Sequence, residues 1–294
     1  MIKKQNLITF LSIISLTSGG AVSAQQINAP ILEFNPSREN QSISIPVEPP
    51  EVRSIAPNIC TPELNASMQQ IINSHGGSWG ILVQSLATGE TIYHYNADRG
   101  FIPASNTKIL TTAAALQRME PNATFSGNTS VREWINVVNL RSNNYYADTL
   151  LRRVGGSTTA KQILAEMGVN PSAFHFADGS GLSRNNVATP RAIVETLRVM
   201  YHDRNRDVFL ASLPTAGVSG TLTNRMRQTP VQGIVRAKTG TLRGVRALSG
   251  YLDHREHGTL VFSIMANHPT SVGTNLVSGI DQMLIRLNMT GPCR

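Results

Sequence analysis

Pro103-Ala104-Ser105-Asn106-Thr107-Lys108-Ile109-Leu110 runs directly into Thr111-Thr112-Ala113-Ala114-Ala115-Leu116. A loop containing Pro103 here turns into an apolar pattern, Ile109, Leu110, Ala113, Ala114 and Leu116, whose spacing predicts a helix from Ser105 to about Met119. Ser105 and Lys108 are three positions apart, so the lysine can reach the serine hydroxyl one turn back. A serine hydroxyl is a weak nucleophile until a neighbouring base takes its proton, and a buried lysine with a lowered pKa can be that base. The helix N-terminus favours the negative charge that develops. Ser-x-x-Lys arises by chance about once in a chain of this size, so the spacing needs support from elsewhere.

Outward from this segment, Trp79 to Leu86 and Glu90 to Tyr95 read as strands joined by Ala87-Thr88-Gly89. Before them, Thr61 can cap a helix through about Ser74, with Leu64, Met68, Ile71 and Ile72 as its apolar stripe. After it come helical patterns at Asn144 to Val154, Thr159 to Met167 and Pro190 to His202. Strand-like runs follow at Gly233 to Lys238, Arg246 to Leu252 and Thr259 to Ala266, then a last helix from Val272 to Leu287. Strands near both chain ends with helices between them predict an α/β fold: one antiparallel sheet of about five strands, flanked by helices, with a helical subdomain inserted.

The first 24 residues carry Lys3 and Lys4, an apolar run from Leu7 to Leu16 and small residues ending in Val22-Ser23-Ala24. This order reads as a cleavable secretory signal, an uncleaved anchor being the alternative. The run is short for a membrane span, and no later segment is apolar for long enough, so the mature form is expected not to span a membrane. Residues 25–58 are rich in Pro, Gln, Asn and Ser and read as a flexible spacer, leaving 59–294 as the folded domain. Secretion to the periplasm or cell envelope is the expected location. The formal charge of +8 suits anionic envelope surfaces, although the scattered basic residues equally fit an incidentally basic protein. Nothing argues for nucleic acid. Cys60 and Cys293 bracket the folded part; export favours a disulfide between them over two free thiols. The seven histidines show no zinc-binding spacing, His254 and His257 flank a predicted hairpin turn, and no metal or cofactor is expected.

Lys238-Thr239-Gly240-Thr241 ends the first of the late strand-like runs. A cation and a hydroxyl on an edge strand can hold a substrate carboxylate, while glycine lets a peptide backbone approach closely. Of three Ser-x-Asn triplets, Ser126-Gly127-Asn128, Ser142-Asn143-Asn144 and Ser183-Arg184-Asn185, only the second immediately precedes an amphipathic helix. Ser142 could relay a proton between Lys108 and a leaving amine, and the Asn144 amide could bind a substrate peptide.

The order Ser105-x-x-Lys108, Ser142-x-Asn144, Lys238-Thr239-Gly240 resembles the three motifs of penicillin-binding proteins and serine β-lactamases. Asp178-Gly179-Ser180-Gly181-Leu182-Ser183-Arg184-Asn185-Asn186 and Ala237 to Leu242 are similar to the D-alanyl-D-alanine carboxypeptidase/endopeptidase family, the low-molecular-mass class C penicillin-binding proteins, over roughly Thr61 to Leu287. The resemblance implies a serine D,D-peptidase of the transpeptidase fold that cleaves peptidoglycan stem peptides and is acylated by β-lactam antibiotics. Ser105 would be its nucleophile, Lys108 the base, Ser142 and Asn144 the cleft wall, Lys238 and Thr239 the carboxylate site, and the Ser105 and Thr241 amides the oxyanion hole. Familiar members carry large extra domains between the first two motifs, whereas Lys108 and Ser142 are only 34 positions apart. The Asp178 to Asn186 stretch is expected to be a structural loop at the cleft edge. A serine β-lactamase and a non-catalytic wall-binding protein are the competing readings. Against the first, none of Asp148, Glu166, Asp178, Glu195, Asp203 and Asp207 lies in a segment like the Glu-bearing loop of class A enzymes.

Overall fold

Alternating side chains along the central strands bury both faces of one sheet, and that sheet positions everything else. In the computed structural model, residues 60–269 and 274–291 are described. The expected signal and spacer, and Cys293, lie outside them. In chain order come α1 (Thr61–His75), β1 (Ser78–Ser85), β2 (Thr91–Tyr95) and α2 (Thr107–Arg118), then a small hairpin, β3 (Thr124–Ser126) and β4 (Thr129–Ser130). Next are α3 (Val131–Leu140), α4 (Asn144–Val154) and α5 (Gly156–Glu166), the two-residue strands β5 (Phe174–His175) and β6 (Val187–Ala188), α6 (Pro190–His202) and α7 (Arg206–Ser212). The chain then forms β7 (Val235–Leu242), β8 (Val245–His254), β9 (Gly258–Asn267) and α8 (Thr274–Met289).

Five strands make one antiparallel sheet in the order β2-β1-β9-β8-β7. The early hairpin joins the late strands through β1 and β9, so segments from both ends close the sheet, as the sequence pattern predicts. Ile81, Val83, Phe262 and Ile264 face α1 and α8, whereas Leu82, Val261 and Met265 face the helical region built on α2 and α6. Strands buried on both sides lose the one-sided polar alternation and read as apolar runs. The start of α1 meets the end of the domain, the Cys60 N–H donating to the Gly291 carbonyl at 2.8 Å. Cys60 is disulfide-bonded; the expected partner, Cys293, lies outside the described residues.

Several boundaries differ from expectation for local reasons. Cys60, not Thr61, occupies the N-cap of α1. Gly155, at φ 116°, ends α4 in a left-handed turn, and α5 follows at Gly156, three residues before the predicted start. Strand β7 does not stop at Lys238 but continues to Leu242, paired with Val245–Ser249 of β8. Helices α3 and α7 were not predicted. The first has a legible signal: Ser130 Oγ accepts from the Glu133 N–H and Glu133 Oε2 accepts from the Ser130 N–H, a reciprocal cap before the stripe Val131, Trp134, Ile135, Val138. The seven residues of α7 are too few for a periodic pattern. Among the described residues no helix is long and apolar enough to cross a membrane.

Candidate active site

Ser105 sits in a single 3-10 turn, Ala104–Asn106, that leads into α2, rather than in the first α-helical turn as predicted. Ala104 takes φ 48°, a left-handed conformation that costs an L-residue with a Cβ about 1–2 kcal/mol. Its neighbours hold it there. The Thr107 hydroxyl donates to the Ala104 carbonyl at 2.9 Å, and Gly181 lies so close beneath that a Cβ would come within 1.8 Å of the same oxygen. Behind the turn, Asn106 Nδ2 donates to Ser249 Oγ at 2.6 Å and Ser249 to Ser263 at 2.9 Å, a buried polar row across β8 and β9. The serine is thereby fixed to the sheet rather than to a mobile loop.

Lys108 is fully buried. Its Nζ lies 2.9 Å from Ser105 Oγ, 2.8 Å from Asn144 Oδ1 and 2.5 Å from the Ser180 carbonyl. The last two partners can only accept, so they engage two N–H bonds; in the neutral amine the remaining lone pair faces the serine hydroxyl. Burial lowers the Lys108 pKa to about 8, against the opposing pull of the Asp148 and Asp178 charges. A base with that pKa is substantially available near neutral pH, where an ordinary lysine is not.

The Asp178 to Asn186 loop does more than edge the cleft. Ser180 supplies the carbonyl on Lys108, the Thr111 hydroxyl donates to the Gly179 carbonyl at 2.8 Å, and Gly179 N–H donates to Asp148 Oδ1 at 3.0 Å. Burial would raise the Asp178 pKa, but the N–H groups of Ser183 and Gly181 and the Asn186 amide hold the carboxylate below its ordinary value. The loop is a rigid bracket behind Lys108.

Ser142 also takes a left-handed conformation, φ 53°, just before Asn143, whose side chain caps α4 by accepting from the Tyr146 N–H. Its hydroxyl is held by Lys238 Nζ at 2.9 Å; Lys108 bonds instead to Asn144. The Ser142 hydroxyl is thus paired with the second lysine in this structure. Lys238 is fully buried on β7, its Nζ also donating to the Thr239 carbonyl at 3.0 Å. Burial and then the Lys108 charge push its pKa well below the ordinary lysine value. Gly240 lets β7 pack against the Ser105 turn, since a Cβ would lie 2.6 Å from the Pro103 carbonyl.

These side chains face one cavity of about 340 Å³, lined by Ser105, Ser142, Asn144, Thr239 and Thr241. All but Lys108, Lys238 and Gly240 of the sequence-predicted residues line it directly; the lysines act from beneath and Gly240 shapes the strand. Three lining residues were not predicted: Thr221, whose hydroxyl is 2.7 Å from Thr239 Oγ1, Arg225, and Val277 on α8. Arg225 is held by Asp281 of α8, Nη2 to Oδ1 at 2.5 Å. No local pattern marks them, because they come from an irregular segment and a helix brought in by the fold.

The profile of the D-Ala-D-Ala carboxypeptidase 3 (S13) family matches residues 61–137 and 129–287. The chain belongs to this family. The two matched pieces overlap at residues 129–137, between Lys108 and Ser142. Within reach of S13 membership, the chain is 35% identical over 175 residues to penicillin-sensitive carboxypeptidase A of Dictyostelium discoideum, covering 53% of this chain and 33% of that one. It is 40% identical over 142 residues to the D-alanyl-D-alanine carboxypeptidase of an Actinomadura species, covering 43% and 26%. The chain thus spans a third or less of the length of these curated relatives. Penicillin-binding protein 4 of Haemophilus influenzae superposes with a TM-score of 0.66 at 14% identity over 76% of this chain and 99% of that one. The TLA-1 extended-spectrum β-lactamase superposes at 0.64 with 16% identity over 78% and 99%. The fold is that of penicillin-binding proteins and serine β-lactamases.

Proposed function

We propose that this S13 chain is a serine D,D-carboxypeptidase/endopeptidase that cleaves D-Ala-D-Ala-type bonds of peptidoglycan stem peptides through an acyl-enzyme, and that β-lactam antibiotics acylate the same serine. The observation that carries this reading is the Lys108 amine, 2.9 Å from Ser105 Oγ with two further acceptors aiming its lone pair. Lys108 takes the Ser105 proton as Oγ attacks the scissile carbonyl, and the Ser105 and Thr241 amides receive the oxyanion. The proton that Lys108 took passes to the departing amine through the Ser142 hydroxyl, which Lys238 holds, leaving Lys108 neutral; water then attacks the acyl carbon, giving its proton to Lys108, which returns it to Ser105 Oγ as the acyl group leaves.

The outer edge of β7 supports a peptide substrate. Its first half is covered, Ala237 N–H donating to the Pro214 carbonyl and Ala216 N–H to that of Val235. Among the described residues no strand pairs with the outer side beyond Lys238, so a substrate backbone can add there as an extra strand. Lys238, Thr239 and Arg225 then surround its terminal carboxylate. A β-lactamase reading is less well supported. The carboxylates whose charge reaches Lys108 are Asp148 and Asp178, and both are engaged in holding the 178–186 loop. Export by residues 1–24 to the cell envelope, with 25–58 as spacer, completes the reading. The test is release of D-alanine from an acylated Lys-D-Ala-D-Ala tripeptide by the chain and by Ser105→Ala. Release abolished by the substitution supports the reading; release that survives it rejects Ser105 as nucleophile.

A further inference from the structure

A second concavity, about 620 Å³, shares no lining residue with the cleft and is the larger of the two. Its volume is in the range typical of small-ligand sites, roughly 300–1,000 Å³. It meets a smaller lobe of about 190 Å³ at a seam formed by Arg206, Leu210 and Arg236, which line both. Neither arginine has a hydrogen bond to a side chain or an ion-pair partner among the described residues. The Arg206 guanidinium stacks on Tyr201, 4.1 Å from the ring centroid, and its Nε is buried without an acceptor. A desolvated guanidinium N–H with no acceptor is costly, and two guanidinium groups at one seam match a carboxylate. The lobes each hold one acid, Asp207 in the larger and Asp253 in the smaller. The larger lobe thus adds Asp207 to the shared arginines, and the smaller adds Asp253.

The groove and the cleft share their supports. Leu140 lines the groove and Ser142 the cleft; Ser219 and Thr221 stand in the same relation, as do Arg236 and Lys238's neighbour Thr239. Gly220 lies against the Leu140 carbonyl, where a Cβ would come within 2.7 Å.

We infer that this groove is a second binding site for a zwitterionic peptide, its carboxylate between Arg206 and Arg236 and an ammonium group on Asp207. Taking a wall stem peptide as that ligand rests on the function proposed for the cleft. The groove would hold a neighbouring or product peptide while the cleft works on another.

The probe is L-lysyl-D-alanyl-D-alanine, titrated calorimetrically into the full chain carrying Ser105→Ala. Two sites are expected. Adding Arg236→Ala, a change at an exposed side chain that leaves the core alone, weakens one site by roughly tenfold or more and spares the other, and Arg206→Ala does the same. Adding Thr239→Val weakens the second site only. A single site lost with Thr239→Val and indifferent to both arginines overturns the groove. Displacement of the peptide from the groove by an equal concentration of inorganic phosphate also overturns the assignment, showing a generic anion site. Binding that responds to the arginines and ignores Thr239→Val upholds the groove and instead removes the proposed role of the cleft.

Discussion

If Lys108 is the base, acylation must follow its titration. The reactive form is the neutral amine, so the rate rises with pH through the pKa of about 8 and levels above it. Each pH unit below the midpoint is a tenfold change in the neutral fraction, giving about 1% neutral at pH 6 and about 90% at pH 9, a rise of roughly 90-fold. An unperturbed lysine would give a rise nearer 1,000-fold over the same range, still climbing at pH 9. Asp148 and Asp178 raise the pKa against the burial that lowers it. Asp148→Asn keeps an acceptor for the Gly179 N–H while removing the charge, and so moves the midpoint below that of the parent. The assay is the second-order acylation rate with a fluorescent penicillin at constant ionic strength from pH 6 to 10. A flat profile, a midpoint near the ordinary lysine value, or a midpoint unmoved by Asp148→Asn refutes Lys108 as the titrating base.

Other outcomes follow from single contacts. Gly181→Ala forces a Cβ into the Ala104 carbonyl at φ 81°; overpacking and left-handed strain together cost about 2–5 kcal/mol, read as a lower Tm and slower acylation. Asn144→Ala leaves one N–H of Lys108 unpaired and is expected to slow acylation by roughly tenfold to a hundredfold, measured by the same fluorescent assay. Glu133→Ala removes one half of the α3 cap and lowers the Tm slightly without changing the acylation rate, by thermal denaturation and labelling side by side. A chain beginning near Asn58 should acylate at the parental rate if 25–58 is only a spacer; loss of acylation shows that those residues serve the site.

The parts legible in the sequence are those in which one short segment carries both structure and chemistry. Ser105 and Lys108 share a helix start, so their spacing alone brings them together. Lys238, Thr239 and Gly240 share a strand, and the apolar runs of β8 and β9 declare a sheet buried on both faces. The helix after Ser142 distinguishes it from Ser126 and Ser183, and Ser142 lines the same cavity as Ser105. What was not legible depends on long-range contact. Whether Ser142 bonds to Lys108 or Lys238 is set by how the turn before α4 meets β7, nearly a hundred residues later in the chain. The Ser180 carbonyl carries no side-chain signature, and Thr221 and Arg225 arrive from a segment without periodicity. The capping box of α3 in Ser130 and Glu133, and the Gly127-Asn128 turn of the β3–β4 hairpin, are readable cues to elements that the apolar periodicity alone does not show.

The most direct test of the whole account is intact-protein mass spectrometry after incubation with benzylpenicillin, beside Ser105→Ala. The account predicts a slowly lost adduct of one penicilloyl group on the parent chain and none on the variant. An adduct on both proteins, or on neither, contradicts Ser105 as the acylated nucleophile, and rapid turnover of the drug with only a transient adduct assigns the chain to β-lactamase chemistry instead.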